Sequence, residues 1–100
     1  VGLDLVSYFK NNPARDEAYL EWIRGQPSVV SGGGLCEAHH IEGHGMGGTS
    51  KQSDYFTIPL RHHEHREFHQ MGWQTWEATY GINQLEACAR LMERYLARGK

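Results

Sequence analysis

Cys36-Glu37-Ala38-His39-His40-Ile41, then a connection carrying Gly43, Gly45, Gly47 and Gly48, then Ser53-Asp54-Tyr55-Phe56-Thr57-Ile58-Pro59-Leu60, then His65 and His69: this stretch decides the fold. Leu35 to Ile41 reads as a short strand, and the glycines after it allow the chain to turn. Tyr55 to Leu60 is β-branched and aromatic enough for a second strand, with Pro59 near its end. Arg61 to Met71 is made of good helix formers, and Gly72 closes it. Residues 35–71 therefore predict a two-stranded ribbon followed by a helix.

Working outward, Asn12-Pro13 looks like an N-cap with proline at the first helical position, and Gly25 before Pro27 looks like a stop. This predicts a helix over 13–24, with Ala18, Tyr19, Trp22 and Ile23 on one packing stripe. Ser31 to Gly34 is a flexible connector. Two further helices are expected at 73–80 and 83–98, the last with Leu85, Cys88, Leu91, Met92, Tyr95 and Leu96 facing the core. At helical spacing, Trp22, Phe68, Trp73, Trp76 and Tyr80 read as core side chains and not as base-stacking platforms. The fold class is α+β, one small domain over residues 1–100.

Composition narrows the functional classes. The 39% hydrophobic and 22% charged residues suit a globular chain, and no apolar run approaches the roughly 20 residues that a membrane span needs. Two cysteines, Cys36 and Cys88, make no disulfide framework and fit a reducing, cytoplasmic setting. A formal net charge of −2 argues against coating nucleic acid by bulk electrostatics, so any DNA contact must be local. Arg90, Arg94, Arg98 and Lys100 could form a basic stripe, but with Glu86 and Glu93 interleaved they read as a solvated helix face. The chain opens on valine and not methionine, which leaves room for a basic N-terminal segment in a longer parent.

All seven histidines, His39, His40, His44, His62, His63, His65 and His69, lie between positions 39 and 69. Histidine is an indifferent core residue, so such clustering points to metal binding or acid–base chemistry. His65 and His69, four apart on a helix, place two imidazoles on one face where both can reach one ion. His62 lies on the same stripe, and spacing alone leaves it open as a ligand. His39 and His40 are adjacent on a strand and point to opposite faces unless the strand bends or ends there. The pair is then either a ligand with a base or a ligand with a surface histidine. His44, in the glycine connection, reads as a loop residue.

These motifs, across roughly positions 20 to 82, resemble an HNH nuclease, more narrowly the phage and prophage branch that includes the Ref recombination-associated nuclease. The resemblance implies a ββα-metal fold that hydrolyses DNA. It implies His39, His65 and His69 as metal ligands, His40 as general base, and Asp54 in the place of the family's central asparagine, bracing the loop that carries the base. The three-histidine set is also similar to the nuclease domains of DNase colicins. Magnesium or manganese would serve cutting, with zinc or nickel also accepted, and a RecA-type recombinase filament is an expected partner beside DNA in a bacterial host cell. Lys51 and Arg66 are weak candidates for phosphate contacts. Three histidines leave coordination positions open for phosphate and water, as hydrolysis requires.

A competing reading is a zinc-stabilised DNA- or protein-binding module, with Cys36 joining His39, His65 and His69 as ligands; a third is a nuclease fold that has lost activity. The resemblance also implies something missing. Related nucleases often carry a second, structural zinc site, and at its four positions this chain has Ser28, Ser31, Arg61 and Glu64. Loss of all four ligands together predicts one metal site per chain, with Arg61 and Glu64 free to form a surface ion pair.

Overall fold

The computed structural model describes residues 13–46 and 52–99. The first helix, α1 (Glu17–Arg24), starts later than the Asn12-Pro13 signal predicts. Asp16 is its N-cap, its Oδ1 accepting the Tyr19 N–H at 2.9 Å. Pro13 to Asp16 are non-helical because their backbone serves a distant partner: Asp54 N–H donates to Ala14 O at 2.9 Å, and Asp16 N–H donates to Asp54 Oδ2 at 2.8 Å. Asn12 lies outside the described residues.

Strands β1 (Cys36–His40) and β2 (Thr57–Arg61) pair antiparallel, with Cys36 opposite Arg61, His39 opposite Ile58 and His40 opposite Thr57. Both are offset from the expected spans for local reasons. Leu35 sits at φ 57 and is 95% exposed, a turn residue and not a strand one. Tyr55 and Phe56 are drawn into a turn by Ser53, whose Oγ takes the Tyr55 N–H and whose carbonyl takes the Phe56 N–H. Thr57, Ile58, Pro59 and Leu60 are all buried, so β2 is covered on both faces.

Helix α2 (His62–Met71) follows β2 without a linker, which sets it against the ribbon, and Gly72, at φ 84, turns the chain into α3 (Trp73–Tyr80). Gly81 ends α3 in the left-handed region, and Asn83 caps α4 (Gln84–Ala97) by accepting the Glu86 N–H at 2.9 Å. The strand pair and the four helices enclose a core of Tyr19, Ile23, Ile41, Met46, Ile58, Leu60, Phe68, Trp76, Cys88 and Leu91. The result is the expected α+β arrangement, a β-hairpin followed by helices.

Three expected core residues lie at the surface: Leu96 is 73% exposed, Tyr80 is 37% exposed and reaches Glu67 with its hydroxyl, and Ala18 is exposed. Trp22, Trp73, Leu85, Met92 and Tyr95 pack partly buried on the core rim. Cys36 and Cys88 are buried and free. Arg90 pairs with Glu86, and Arg98 stacks on Tyr95, as a solvated face would; Lys100 lies outside the described residues. Among the described residues, no helix is long and apolar enough to cross a membrane.

Candidate metal centre

Strand β1 delivers His39, and α2, packed across it, delivers His65 and His69 from successive turns. One ring nitrogen from each lies within 4.8 Å of the others, close enough for all three to reach one ion. The rings meet with centroids 4.9 Å apart for His39–His65 and His65–His69, and 5.7 Å for His39–His69. Phe68 lies under His39 at 4.2 Å and fixes its ring from the core side.

His39 is 1% exposed, and burial, reinforced by the neighbouring His65, pushes its pKa down to about 3. It is therefore a neutral imidazole with a lone pair available. Its Nε2 is buried with no hydrogen-bond partner, an uncompensated polar atom that a bound cation beside it would explain. The donor set fits a divalent ion: three imidazole nitrogens, from one strand and one helix.

The other histidines separate by geometry. His62 faces Glu37, with Nδ1 at 3.0 Å from Oε2, and is not part of the group. His65 Nδ1 contacts the second oxygen of the same carboxylate at 2.8 Å. His69 Nδ1 lies 3.2 Å from Glu42 Oε2. His44, at φ 55, pairs with Glu77 at 2.8 Å and lies against Trp73, which makes it a clamp on the loop after β1. Cys36 Sγ is turned to Gly33 O at 3.4 Å and is not part of the group, contrary to the four-ligand alternative.

His40 follows His39 at the end of β1 and, as strand alternation requires, its ring does not join the three-histidine group. Its Nε2 lies 3.1 Å from Asp54 Oδ1. A carboxylate there accepts Nε2–H and leaves Nδ1 as the nitrogen with the free lone pair. Asp54 is itself 5% exposed and held by the Asp16 N–H, with Arg15 Nη1 3.6 Å from the oxygen that faces His40. Asp54 thus braces His40 against α1 across 38 residues of sequence and is no local Asx turn. Arg66 is exposed on α2 beside His65; Lys51 lies outside the described residues.

The four positions marked as a lost second site also meet in space. Ser28 Oγ donates to Glu64 Oε1 at 2.6 Å, Arg61 N–H donates to the same oxygen at 2.7 Å, and Ser31 N–H donates to Ser28 Oγ at 3.2 Å. The expected surface ion pair is wrong: Glu64 is 5% exposed, and it binds the backbone of Arg61, not its guanidinium. A carboxylate at the third position of a helix that takes the orphan N–H at the helix start explains this choice.

Sequence reasoning missed Glu37, Glu42 and Gln84, whose side-chain amide holds both backbone groups of Glu42. Glu37 was within reach, since it stands two residues before His39 on the same strand. Glu42 and Gln84 carried no local signal.

Fold and site define a class: an α+β domain in which a β-hairpin and the helix after it assemble three histidines that could hold one metal ion. By sequence the chain belongs to the DUF968 family, described as a protein of unknown function, whose model matches residues 6–99. It is similar to uncharacterized protein YdfU of Escherichia coli (strain K12), with 38% identity over 84 residues, 83% of this chain and 24% of the relative. The chain thus spans about a quarter of that relative's length. No solved structure matches.

Proposed function

We propose that this domain is a metal-dependent endonuclease of the HNH type that hydrolyses DNA phosphodiester bonds, in the setting of phage recombination. The observation that carries the reading is the pairing of two functions on consecutive residues. His39 enters a three-histidine group, and His40 enters a buried-carboxylate pair with Asp54. A structural metal site has no use for the second.

In this reading His39, His65 and His69 hold one magnesium or manganese ion, or zinc, through neutral imidazoles. The ion's contribution is positive charge on the phosphate and on the departing oxygen. His40 Nδ1 takes a proton from the water that attacks phosphorus, the P–O bond to the departing sugar oxygen breaks, and Asp54 stabilises the imidazolium through Nε2–H. Arg66, exposed beside His65, offers a cation to the DNA backbone. A RecA-type filament as partner rests on the sequence resemblance alone.

The test is nicking of supercoiled plasmid with and without added magnesium or manganese, and with and without a recombinase. His40→Ala should lose on the order of 10²–10⁴-fold in rate while still binding metal. His69→Ala should instead weaken metal affinity, because it removes an inner bond. Cutting by His40→Ala at the wild-type rate would refute the base assignment. Metal binding without cleavage under any condition would leave a metal-stabilised binding module.

A further inference from the structure

We infer that Glu42 and Gln84 are positioning residues of the metal centre, through which the two C-terminal helices set the orientation of His69. The inference rests on the three-histidine group being a metal centre, and it extends that centre beyond the ribbon and α2.

A neutral imidazole carries one N–H, and its partner decides which nitrogen keeps it. Glu42 Oε2 lies 3.2 Å from His69 Nδ1, an ion-pair contact whose negative charge favours the proton on that nitrogen and leaves Nε2 for the ion. Glu42 stands in the loop after β1, where a carboxylate could swing freely if its backbone were loose. One side chain prevents that. Gln84 Nε2 donates to Glu42 O at 2.9 Å, and Gln84 Oε1 accepts the Glu42 N–H at 3.1 Å, so a single amide grips both backbone groups of that residue.

The orientation of this amide is unambiguous. The second Nε2 hydrogen goes to Glu77 Oε2 at 3.0 Å, and the same oxygen takes the Gln84 backbone N–H at 3.0 Å. Flipping Gln84 would set its NH2 against the Glu42 N–H and its carbonyl against a carboxylate. Gln84 is 0% exposed, so every one of these groups needs its partner. Glu77, on α3, is tied in turn to His44 in the loop. A chain of contacts thus runs from α3 and α4 through Glu42 to His69.

The experiment uses Co2+ as the probe, with affinity measured by titration and ligand N–H protons followed as exchangeable, paramagnetically shifted proton resonances. Wild-type protein should take one Co2+ per chain and show a slowly exchanging N–H resonance for His69. Glu42→Leu, at a partly exposed loop site, should raise Kd about 10- to 100-fold and lose that resonance, while Glu42→Gln, which keeps an acceptor oxygen, should restore it. Gln84→Met should raise Kd similarly and shift the His69 signal. Loosened Co2+ binding in Glu42→Leu with no change in metal-free thermal stability supports positioning. Wild-type affinity and an intact His69 resonance in Glu42→Leu would overturn the inference while the metal centre stands. No Co2+ uptake by the wild type would overturn both.

Discussion

Gly43 has φ 79, and the space where its side chain would begin is filled by the Trp73 indole: a Cβ there would lie 2.2 Å from Cε2. Only glycine fits. Gly43→Ala should cost about 2–4 kcal/mol, combining left-handed strain with overpacking. Denaturant unfolding checks this, and Trp73→Ala in the same chain should recover the overpacking part, giving a non-additive cycle. Strict additivity would show that the clash is not the cause. At this scale the sequence told most where chemistry and spacing coincide. His65 and His69 were legible because four residues is one helical turn, while the choice of His39 over His40 came from the resemblance to HNH nucleases. Gln84, 42 residues from Glu42, was illegible because no periodicity links a buried amide to a loop backbone.

Element boundaries show what local signals can and cannot weigh. Asn12-Pro13 is the stronger cap by propensity, yet α1 begins after Asp16, because Asp54 claims the backbone of residues 14 and 16 from far along the chain. The start of α2 is decided by Glu64 in the same way. Burial pushes its carboxyl up, but hydrogen bonds from Ser28, Ser31 and the Arg61 N–H together outweigh this and hold it below the ordinary 4.5. A depressed folded value means that the unfolded chain binds the proton more readily. The stabilisation is therefore present above about pH 4.5 and is lost as pH falls through the lower folded value. Glu64→Gln should unfold more easily at pH 7 but show a flatter loss of stability between pH 5 and pH 3. Parallel pH curves for the two proteins would mean that folding leaves the Glu64 pKa unchanged.

At the scale of the whole molecule, the layout of hairpin and helices was readable from the order of patterns, while the partner was not, since a net charge of −2 announces no substrate. What can be argued is how metal and fold depend on each other. A 100-residue chain holds a modest core, and this one keeps a buried unpartnered nitrogen on His39 at its centre. An ion that binds only the folded state stabilises it by about 2.7 kcal/mol at a free concentration 100 times Kd. For a domain of this size that corresponds to roughly 10–20 °C in Tm. Thermal unfolding with added Zn2+ or Mn2+, against a chelated control, should show this shift, and it should vanish in a chain lacking His39, His65 and His69. One site is expected, not two, because the second cluster is already satisfied without metal. Ser28 donates to Glu64, Glu64 takes the Arg61 N–H, and Ser28 in turn takes the Ser31 N–H. None of the four side chains is a thiol or an imidazole, the usual zinc donors. Elemental analysis of the purified protein should accordingly give one ion per chain. Two tightly held zinc ions, one of them surviving removal of the three histidines, would show that the Ser28–Glu64 cluster, or some other part of the chain, retains a site that its side chains do not announce.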